Sequence, residues 1–472
     1  MPGFVNTVKS LPKTFWAANT LELFERWAYY GLFNLLALYL TNSTETGALG
    51  FTQVEKGMLM GIVNAILYFL PIVTGSIADK FGYKKVLIVA FVILSSGYYV
   101  MGLVTSFAAV FLAFLYVAIG AALFKPIISA TIAKTTNESN ASLGFGIFYM
   151  IVNIGGLVGP LTASYLREIS WNYMFLMSSG AILLNLVIVI IFFKEPPRIQ
   201  NSESLAKSLS TVFLNIFTVL KDFKFVVFLA IIVGAWTVYW QYFYSLPVFI
   251  EQWVDTAPMY NSIYALCPCL AKVIGTSDGH ILTEKIITMD AFFIVAFQVI
   301  ISSIVIRFKP LPSMITGIFI NSIGLALMVI TRNPFFVISS IFIFSIGEMT
   351  FSPKILEYIG RIAPKDKAAL YMGTQFLPIA LGNFIGGFIS GGVYLKLSDK
   401  FEMIKQMLPQ LRFEKLSNEQ LFDSATKILN TDKAGLTDLL WNTYHPYIFG
   451  GVLMGIGTLT VILLYVYNRK WM

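Results

Sequence analysis

The sequence predicts an all-α membrane protein with twelve transmembrane helices in two six-helix bundles. Two observations lead to this fold class. First, 57% of the 472 residues are hydrophobic and only 12% are charged, with a mean hydropathy of +0.75, whereas a soluble domain carries about 25% charged residues. Second, apolar runs of about 20 residues, long enough to cross a bilayer, recur along the chain. A polar stretch divides these runs into two groups of six.

The twelve predicted spans lie near residues 14–40, 54–78, 85–104, 108–133, 143–166, 171–193, 225–250, 288–306, 312–331, 334–361, 368–395 and 445–468. Between the sixth and seventh lies a polar connector that opens with KEPPR. We therefore expect an N-terminal bundle over 1–193, a cytoplasmic linker over 194–224 and a C-terminal bundle over 225–472. In carriers built from two such halves, the substrate lies between them near the bilayer midplane.

The distribution of lysine and arginine predicts that both termini are cytoplasmic, because these residues are enriched in cytoplasmic loops. With the N-terminus inside, the short outer loops carry only Lys56, Arg167 and Arg332. The longer outer segments, 251–287 and 396–444, weigh less in this rule. We expect a multi-pass protein of the plasma (inner) membrane. Nucleic-acid binding is not expected, because the basic residues are scattered through loops and form no basic face.

The two long outer segments carry no predicted function beyond a lid or spacer. The first contains Cys267 and Cys269, and His280 is the nearest further candidate ligand, which is too few for a metal site. Free thiols are expected there. The second contains a predicted short surface helix in which Ser417 and Gln420 have capping-box spacing. Because the chain also lacks a Ser/His/Asp set and a phosphate-binding loop, we do not expect an enzyme.

The first apolar segment, ANTLELFERWAYYGLFNLLALYL, carries charges within a spanning length. At about 100° per residue, one helix face holds Glu22, Glu25, Arg26, Tyr29, Tyr30 and Phe33. Charges at membrane depth cost about 3 kcal/mol or more and face a bundle interior or wet cavity. Since one arginine cannot neutralise two acids, either one acid is protonated or a base approaches, and Lys125 is available. An acid whose protonation depends on a neighbouring ion pair is suited to proton coupling. The alternative is an ion cluster with a purely structural role.

Other ionisable residues lie within predicted spans. Lys125, before Pro126 in LFKPIISA, and Glu348, in IGEMTFSP, have no opposite charge within their own helix turn. This isolation favours functional roles for both. Lys354 and Glu357 are three residues apart, so we expect them to form a structural salt bridge.

Several strings match known motifs. GSIADKFGYKK, after the second span, resembles the loop motif of the major facilitator superfamily, and ELFERWAYYG resembles the Glu-x-x-Glu-Arg-Phe-x-Tyr-Tyr-Gly motif of the proton-dependent oligopeptide transporter (POT/PTR) family. Further strings similar to that family are YFLPIVTGSIADKFG, LFKPIIS, FYMIVNIGGLVGP and IGEMTFSP…RIAP. The resemblance covers helices one, two, four, five and ten.

This resemblance implies a major facilitator fold and inward proton symport of di- and tripeptides by alternating access. It implies a lone polypeptide without cofactor, whose partners are peptide, protons and membrane lipid. The implied proton-coupling residues are Glu22, Glu25, Arg26 and Lys125. The implied substrate-binding residues are Arg26, Tyr30, Tyr68, Lys125, Asn153 and Glu348. The two cations would bind the peptide carboxylate, and Glu348 would bind its ammonium group.

Two positions depart from the family pattern. Phe33 stands where a second arginine is common, and the seventh span has Gln241 but no acid before Glu251. The loss of one cation and one acid makes the predicted substrate cavity more apolar. Weaker candidates for lining this cavity are the aromatic residues Trp236, Trp240, Tyr242 and Tyr244. The alternative function is therefore a carrier of the same fold for a non-peptide amphipathic or anionic metabolite, or an exporter. A receptor is not expected, since no soluble signalling domain is attached.

Overall fold

The computed structural model describes residues 11–137, 140–196, 204–364, 367–409 and 416–471. The structure in these residues is almost entirely helical, and its β structure is one isolated bridge between Gly275 and Ile281. The all-α prediction is confirmed.

The helices are, in chain order, α1 Lys13–Thr41, α2 Gln53–Phe69, α3 Pro71–Phe81, α4 Tyr83–Met101, α5 Phe107–Thr135, α6 Ala141–Ile169, α7 Trp171–Ile191, α8 Leu205–Leu220, α9 Phe223–Tyr244, α10 Leu246–Trp253, α11 Ala257–Leu266, α12 Pro268–Ile274, α13 Thr283–Ile287, α14 Met289–Val305, α15 Pro310–Val329, α16 Pro334–Ile362, α17 Ala368–Gly373, α18 Phe376–Phe388, α19 Tyr394–Leu397, α20 Lys400–Met407, α21 Asn418–Ile428, α22 Lys433–Tyr444 and α23 Ile448–Trp471. A π-helical turn, Ile389–Val393, joins α18 to α19.

These helices define a multi-pass membrane protein. In the described residues, ten helices are long and apolar enough to cross a membrane, and α2 with α3, bent by 44° at their junction, makes an eleventh. Helix α1 has 29 residues, but Glu22, Glu25 and Arg26 interrupt its apolar sequence and it is not among these spans. The predicted count of twelve spans therefore stays a prediction.

The chain packs as two compact units, each built from segments that are distant in sequence. The first unit consists of Met1–Leu32, Val63–Val227 and Ile362–Ala380, and the second of Phe33–Ile62, Phe228–Arg361 and Leu381–Met472. The predicted domain boundaries, at 193/194 and 224/225, stay a prediction.

In the first unit, α1 approaches α6 closely enough to require glycine. A Cβ atom added at Gly159 would lie 2.6 Å from the carbonyl oxygen of Trp27 and 2.8 Å from the backbone nitrogen of Gly31. The indole of Trp27 also donates a 2.7 Å hydrogen bond to the hydroxyl of Thr162 on α6. This contact fixes the part of α1 that carries the charged residues.

Gly159→Ala is therefore expected to destabilise the protein by about 1–3 kcal/mol, because the new methyl group must displace backbone atoms. Gly180→Ala on α7 is the matched control, since a Cβ atom there meets nothing within 4 Å. Thermal unfolding of both variants in the same detergent measures the difference. Equal unfolding temperatures would contradict the close helix contact.

The connector after the sixth predicted span is less polar than the sequence predicts, because it contains α8. Phe213, Leu214 and Phe217 on this helix are 43%, 62% and 62% exposed, whereas Ile216 and Val219 are buried. Helix α8 thus packs Ile216 and Val219 inside the first unit and leaves apolar side chains exposed on its other side.

Two local predictions are confirmed in the second unit. Lys354 Nζ lies 2.7 Å from Glu357 Oε2, so these residues form the expected salt bridge on α16. The capping box at the start of α21 is also present: the Ser417 hydroxyl accepts the backbone N–H of Gln420, and the Gln420 side chain accepts the backbone N–H of Ser417.

The prediction that Lys56 lies in an outer loop is wrong. Lys56 belongs to α2 in the second unit and is fully buried. Its Nζ donates a 2.8 Å hydrogen bond to the carbonyl oxygen of Tyr244 and lies 5.3 Å from the ring centroid of Tyr394. The burial arises because Gly57 lets α2 pack on the π-helical turn: a Cβ atom there would lie 2.7 Å from Gly391 Cα.

Candidate functional site

Helix α1 brings two acids onto one arginine in the first unit. Glu22, Glu25 and Arg26 are all buried, with exposures of 6%, 0% and 7%. Arg26 Nε lies 3.2 Å from Glu22 Oε1, one helical turn away, and the same guanidinium also pairs with Glu25. One cation thus contacts two carboxylates in a region that water does not reach freely. This arrangement agrees with the predicted helix face.

Aromatic rings line the cationic side of this cluster. The Arg26 guanidinium lies 5.1 Å from the ring centroid of Tyr29 and 5.7 Å from that of Tyr30. Lys125 Nζ lies 4.2 Å from the ring centroid of Tyr68 and 5.7 Å from that of Tyr29. Each contact is a cation–π interaction. Tyr29 was not a predicted site residue, yet its ring is the neighbour that the two cations share.

Helix α5 positions Lys125 through its contact with α3. The hydroxyl of Thr74 on α3 donates a 2.6 Å hydrogen bond to the carbonyl oxygen of Ala122. Pro126 lies inside α5 and removes one backbone donor directly after Lys125. Tyr68 is near the end of α2, just before the bend into α3. The Tyr68 ring, which lies over the Lys125 ammonium group, is thus located next to the bend between α2 and α3.

Asn153 is placed differently from the other predicted residues of the first unit. Its amide Nδ2 donates a 2.8 Å hydrogen bond to the carbonyl oxygen of Tyr149, one turn earlier on the same helix. A Cβ atom at Gly156 would lie 3.4 Å from the Tyr30 ring, so α6 contacts that tyrosine one turn after Asn153. Asn153 thus lies on α6, which packs against the charged part of α1, and its amide is hydrogen-bonded within α6.

Glu348 lies on α16 in the second unit. Its Oε1 accepts a 3.1 Å hydrogen bond from the hydroxyl of Tyr239 on α9. Its Oε2 is buried and accepts no hydrogen bond from the described residues. The Tyr239 ring stacks on Phe344 at a centroid distance of 5.9 Å, which fixes the hydroxyl. Glu348 therefore has one carboxylate oxygen held by Tyr239 and one that accepts no hydrogen bond from the described residues.

Asp290, on α14, is a second acid near this position that was not among the predicted residues. It is 6% exposed, and its Oδ1 accepts a 2.5 Å hydrogen bond from the hydroxyl of Ser345. Ser345 precedes Glu348 by one helical turn on α16. The signal was available in the sequence, because Asp290 is an acid inside an apolar run, the same signal that marked Glu348.

Phe33 and the aromatic residues of α9 pack together in the second unit. Phe33 is 2% exposed, and its ring centroid lies 5.4 Å from that of Phe243 and 5.9 Å from that of Trp240. The hydroxyl of Tyr242 donates to the carbonyl oxygen of Ile287 at 2.6 Å. These contacts are those of a packed core, which agrees with the prediction that the aromatic residues of α9 are weaker candidates for lining a substrate cavity.

The described residues contain no group of three or more His, Cys, Asp and Glu side chains that could hold a metal ion. Cys267 and Cys269 are exposed free thiols, as predicted. His280 lies 3.4 Å from Asp278 and 3.7 Å from Asp255.

Comparison with known families defines the class. Residues 18–277, more than half of the chain, match the family model of the Major Facilitator Superfamily. The chain belongs to the major facilitator superfamily. Because this superfamily consists of membrane transporters, membership agrees with the prediction that the protein is not an enzyme.

Within this superfamily, curated relatives include peptide permeases. The chain is 30% identical over 184 residues to dipeptide and tripeptide permease A of Enterobacter sp. (strain 638), which is 37% of this chain and 35% of that protein. It is 29% identical over 175 residues to the uncharacterized transporter YclF of Bacillus subtilis (strain 168), which is 36% of this chain and 35% of that protein. The chain thus matches about a third of the length of these relatives.

Solved structures of POT family transporters share the fold. One, in complex with a thioalcohol-conjugated peptide, has a TM-score of 0.70 at 18% identity and covers 98% of both chains. Another, in complex with 5-aminolevulinic acid, has a TM-score of 0.66 at 18% identity and covers 93% of this chain and 99% of the other. The predicted major facilitator fold and the resemblance to the POT family are confirmed.

Proposed function

We propose that the protein is a proton-coupled symporter of the POT type that imports di- and tripeptides by alternating access. The observation that carries the proposal is the buried cluster of Glu22, Glu25 and Arg26. The sequence relatives named as dipeptide and tripeptide permeases support the cargo.

The cluster has the charge balance that proton coupling needs. With both acids ionised and Lys125 uncharged, Glu22, Glu25 and Arg26 carry one excess negative charge in a buried site, which is unfavourable. A proton on one acid leaves a neutral ion pair. An approaching cation or a departing substrate changes which of the two states is favoured, so proton binding and substrate binding become linked.

We assign the two poles of a zwitterionic peptide to charged residues of the chain. Arg26 and Lys125 offer positive charge for the peptide carboxylate, and Glu348 offers its second carboxylate oxygen for the ammonium group. The proposed backbone contacts are Tyr30, Tyr68 and Asn153. Charge-assisted hydrogen bonds at both ends stabilise a complex by about 1.5–3 kcal/mol each. Recognition of two ends rather than side chains would admit many peptide sequences.

The second candidate is a carrier for a non-peptide amphipathic or anionic metabolite, or an exporter. One observation favours it: a POT family transporter of the same fold has been solved with 5-aminolevulinic acid, which is not a peptide. The burial of Phe33 among aromatic rings agrees with fewer polar contacts for a peptide backbone.

Uptake of labelled dipeptides into proteoliposomes under an inward proton gradient tests the proposal. We expect uptake above the external concentration, abolished by a protonophore and absent from protein-free liposomes. If no peptide of a varied panel accumulates, the peptide proposal fails. If 5-aminolevulinic acid accumulates in the same vesicles, the second candidate takes its place.

We further propose a monomer in the plasma membrane, with cytoplasmic termini and no cofactor. The two cysteines of the chain, Cys267 and Cys269, are exposed in a segment predicted to be outside. A membrane-impermeant maleimide is therefore expected to label intact cells, and Cys267→Ser/Cys269→Ser is expected to abolish the label. Labelling that requires permeabilised cells would reverse the proposed orientation.

A further inference from the structure

The described residues of the two long segments 251–287 and 396–444 line an open cavity in the second unit. Its volume is about 700 Å³, and its walls come from the end of α10, the loop around His280, α20, α21 and α22, together with Arg332 after α15. Small-molecule sites have volumes of about 300–1,000 Å³. This cavity has the size of a ligand site and contains none of the residues proposed for transport.

Lys400 is the cation that distinguishes this cavity. It is 8% exposed, and its Nζ donates a 3.1 Å hydrogen bond to the hydroxyl of Thr437. The same Nζ lies 5.0 Å from the ring centroids of both Trp253 and Phe422. Among the described residues, no carboxylate oxygen lies within 4.0 Å of it. Lys400 is thus a buried lysine held by neutral groups.

The acids that line the cavity are engaged elsewhere. Asp438 Oδ1 lies 2.6 Å from Arg332 Nη1. Glu251 Oε2 accepts a 2.6 Å hydrogen bond from the Thr283 hydroxyl, and Asp255 Oδ1 accepts a backbone N–H at the start of α11 at 2.9 Å. Each of these acids therefore already has a partner, and none of them lies within 4.0 Å of Lys400 Nζ. Among the described residues, Lys400 thus has no carboxylate counter-charge, and a bound anion would supply one.

We propose that this cavity binds a small organic carboxylate, with Lys400 as its cationic anchor. Burial of an ammonium group away from water is unfavourable, and a carboxylate supplies both the charge and the hydrogen-bond acceptors that offset this cost. The apolar part of the ligand packs against Trp253 and Phe422. The indole N–H of Trp253 donates to the carbonyl oxygen of Ser398 at 2.8 Å, so this ring is fixed in place. The proposal does not rest on peptide transport.

The test is isothermal titration calorimetry of the full chain in detergent, with phenylacetate as the probe and 2-phenylethanol as its uncharged counterpart. We expect saturable binding of phenylacetate alone. Lys400→Met is expected to weaken it at least about tenfold, and Lys400→Arg to keep it within a few-fold. Lys405→Met, an exposed lysine on the same helix, is the matched control and is expected to bind like the parent protein.

The proposal is overturned if the parent protein shows no saturable binding, or if Lys400→Met binds as tightly as Lys405→Met. It is also overturned if Lys125→Met loses the binding, because the probe then occupies the first unit. In case Lys400→Met does not fold, amine labelling of the parent protein followed by mass spectrometry gives a second readout. Phenylacetate is expected to protect Lys400 and not Lys405, and equal labelling of Lys400 with and without the probe contradicts the site.

Discussion

Glu22→Gln is expected to abolish proton-driven accumulation of peptide while leaving counterflow intact. The amide cannot exchange a proton, so the cluster of Glu25 and Arg26 keeps one charge state throughout the cycle. Substrate exchange between the two sides needs no net proton movement and should persist. The measurement is the ratio of internal to external dipeptide in proteoliposomes, which is expected to fall to about one, the value without coupling.

Glu168→Gln is the matched control, because this glutamate is exposed near the end of α6 in the same unit. It is expected to accumulate peptide like the parent protein. Driven uptake that survives in Glu22→Gln would show that the proton is carried elsewhere. Loss of both driven uptake and counterflow would show that Glu22 is needed for substrate binding or folding.

Glu348→Gln is expected to raise the KM for free dipeptides about tenfold to a hundredfold and to leave the KM for N-acetylated dipeptides unchanged. The variant keeps a hydrogen-bond acceptor for Tyr239 but loses the charge that faces the ammonium group. Hydrogen bonds to charged groups are worth about 1.5–3 kcal/mol, which corresponds to this range. Concentration-dependent initial uptake of the two peptide classes gives both values.

Glu419→Gln, an exposed position in the second unit, is the control for this variant. Tyr239→Phe should give a smaller increase, because it removes the hydroxyl that orients the carboxylate but keeps the charge. A rise in KM of the same size for free and acetylated peptides would mean that Glu348 supports the fold of the cavity rather than the ammonium group.

The parts of the site that could be predicted from the sequence are those that depend on spacing within one helix. Glu25 and Arg26 lie three and four residues after Glu22, so the proximity of both residues to Glu22 follows from helix geometry alone. The salt bridge of Lys354 with Glu357 was predictable for the same reason.

The parts that could not be predicted depend on contacts between distant segments. The burial of Lys56 results from packing of α2 on α9 and on the π-helical turn, which no local pattern indicates. The contact of Lys125 with Tyr68 joins α5 to α2 and was not predicted, because the family resemblance implied a role for each residue but no contact between them. Asp290 could have been predicted as an acid within a spanning helix from its position in an apolar run. Its hydrogen bond with Ser345 on α16 could not, because it joins two distant segments.

Substitutions of Arg26 and Lys125 are expected to have non-additive effects, because both cations contact the Tyr29 ring. Arg26 and Lys125 both lie against this ring, at 5.1 and 5.7 Å from its centroid. Groups that share a partner do not contribute independently, and their mutational effects fail to add. The cost of replacing one cation therefore depends on the presence of the other. A single substitution therefore measures the effect of that residue with its neighbour present. The contribution of the pair requires a double-mutant cycle of Arg26 and Lys125, repeated with Tyr29→Leu, which removes the shared ring.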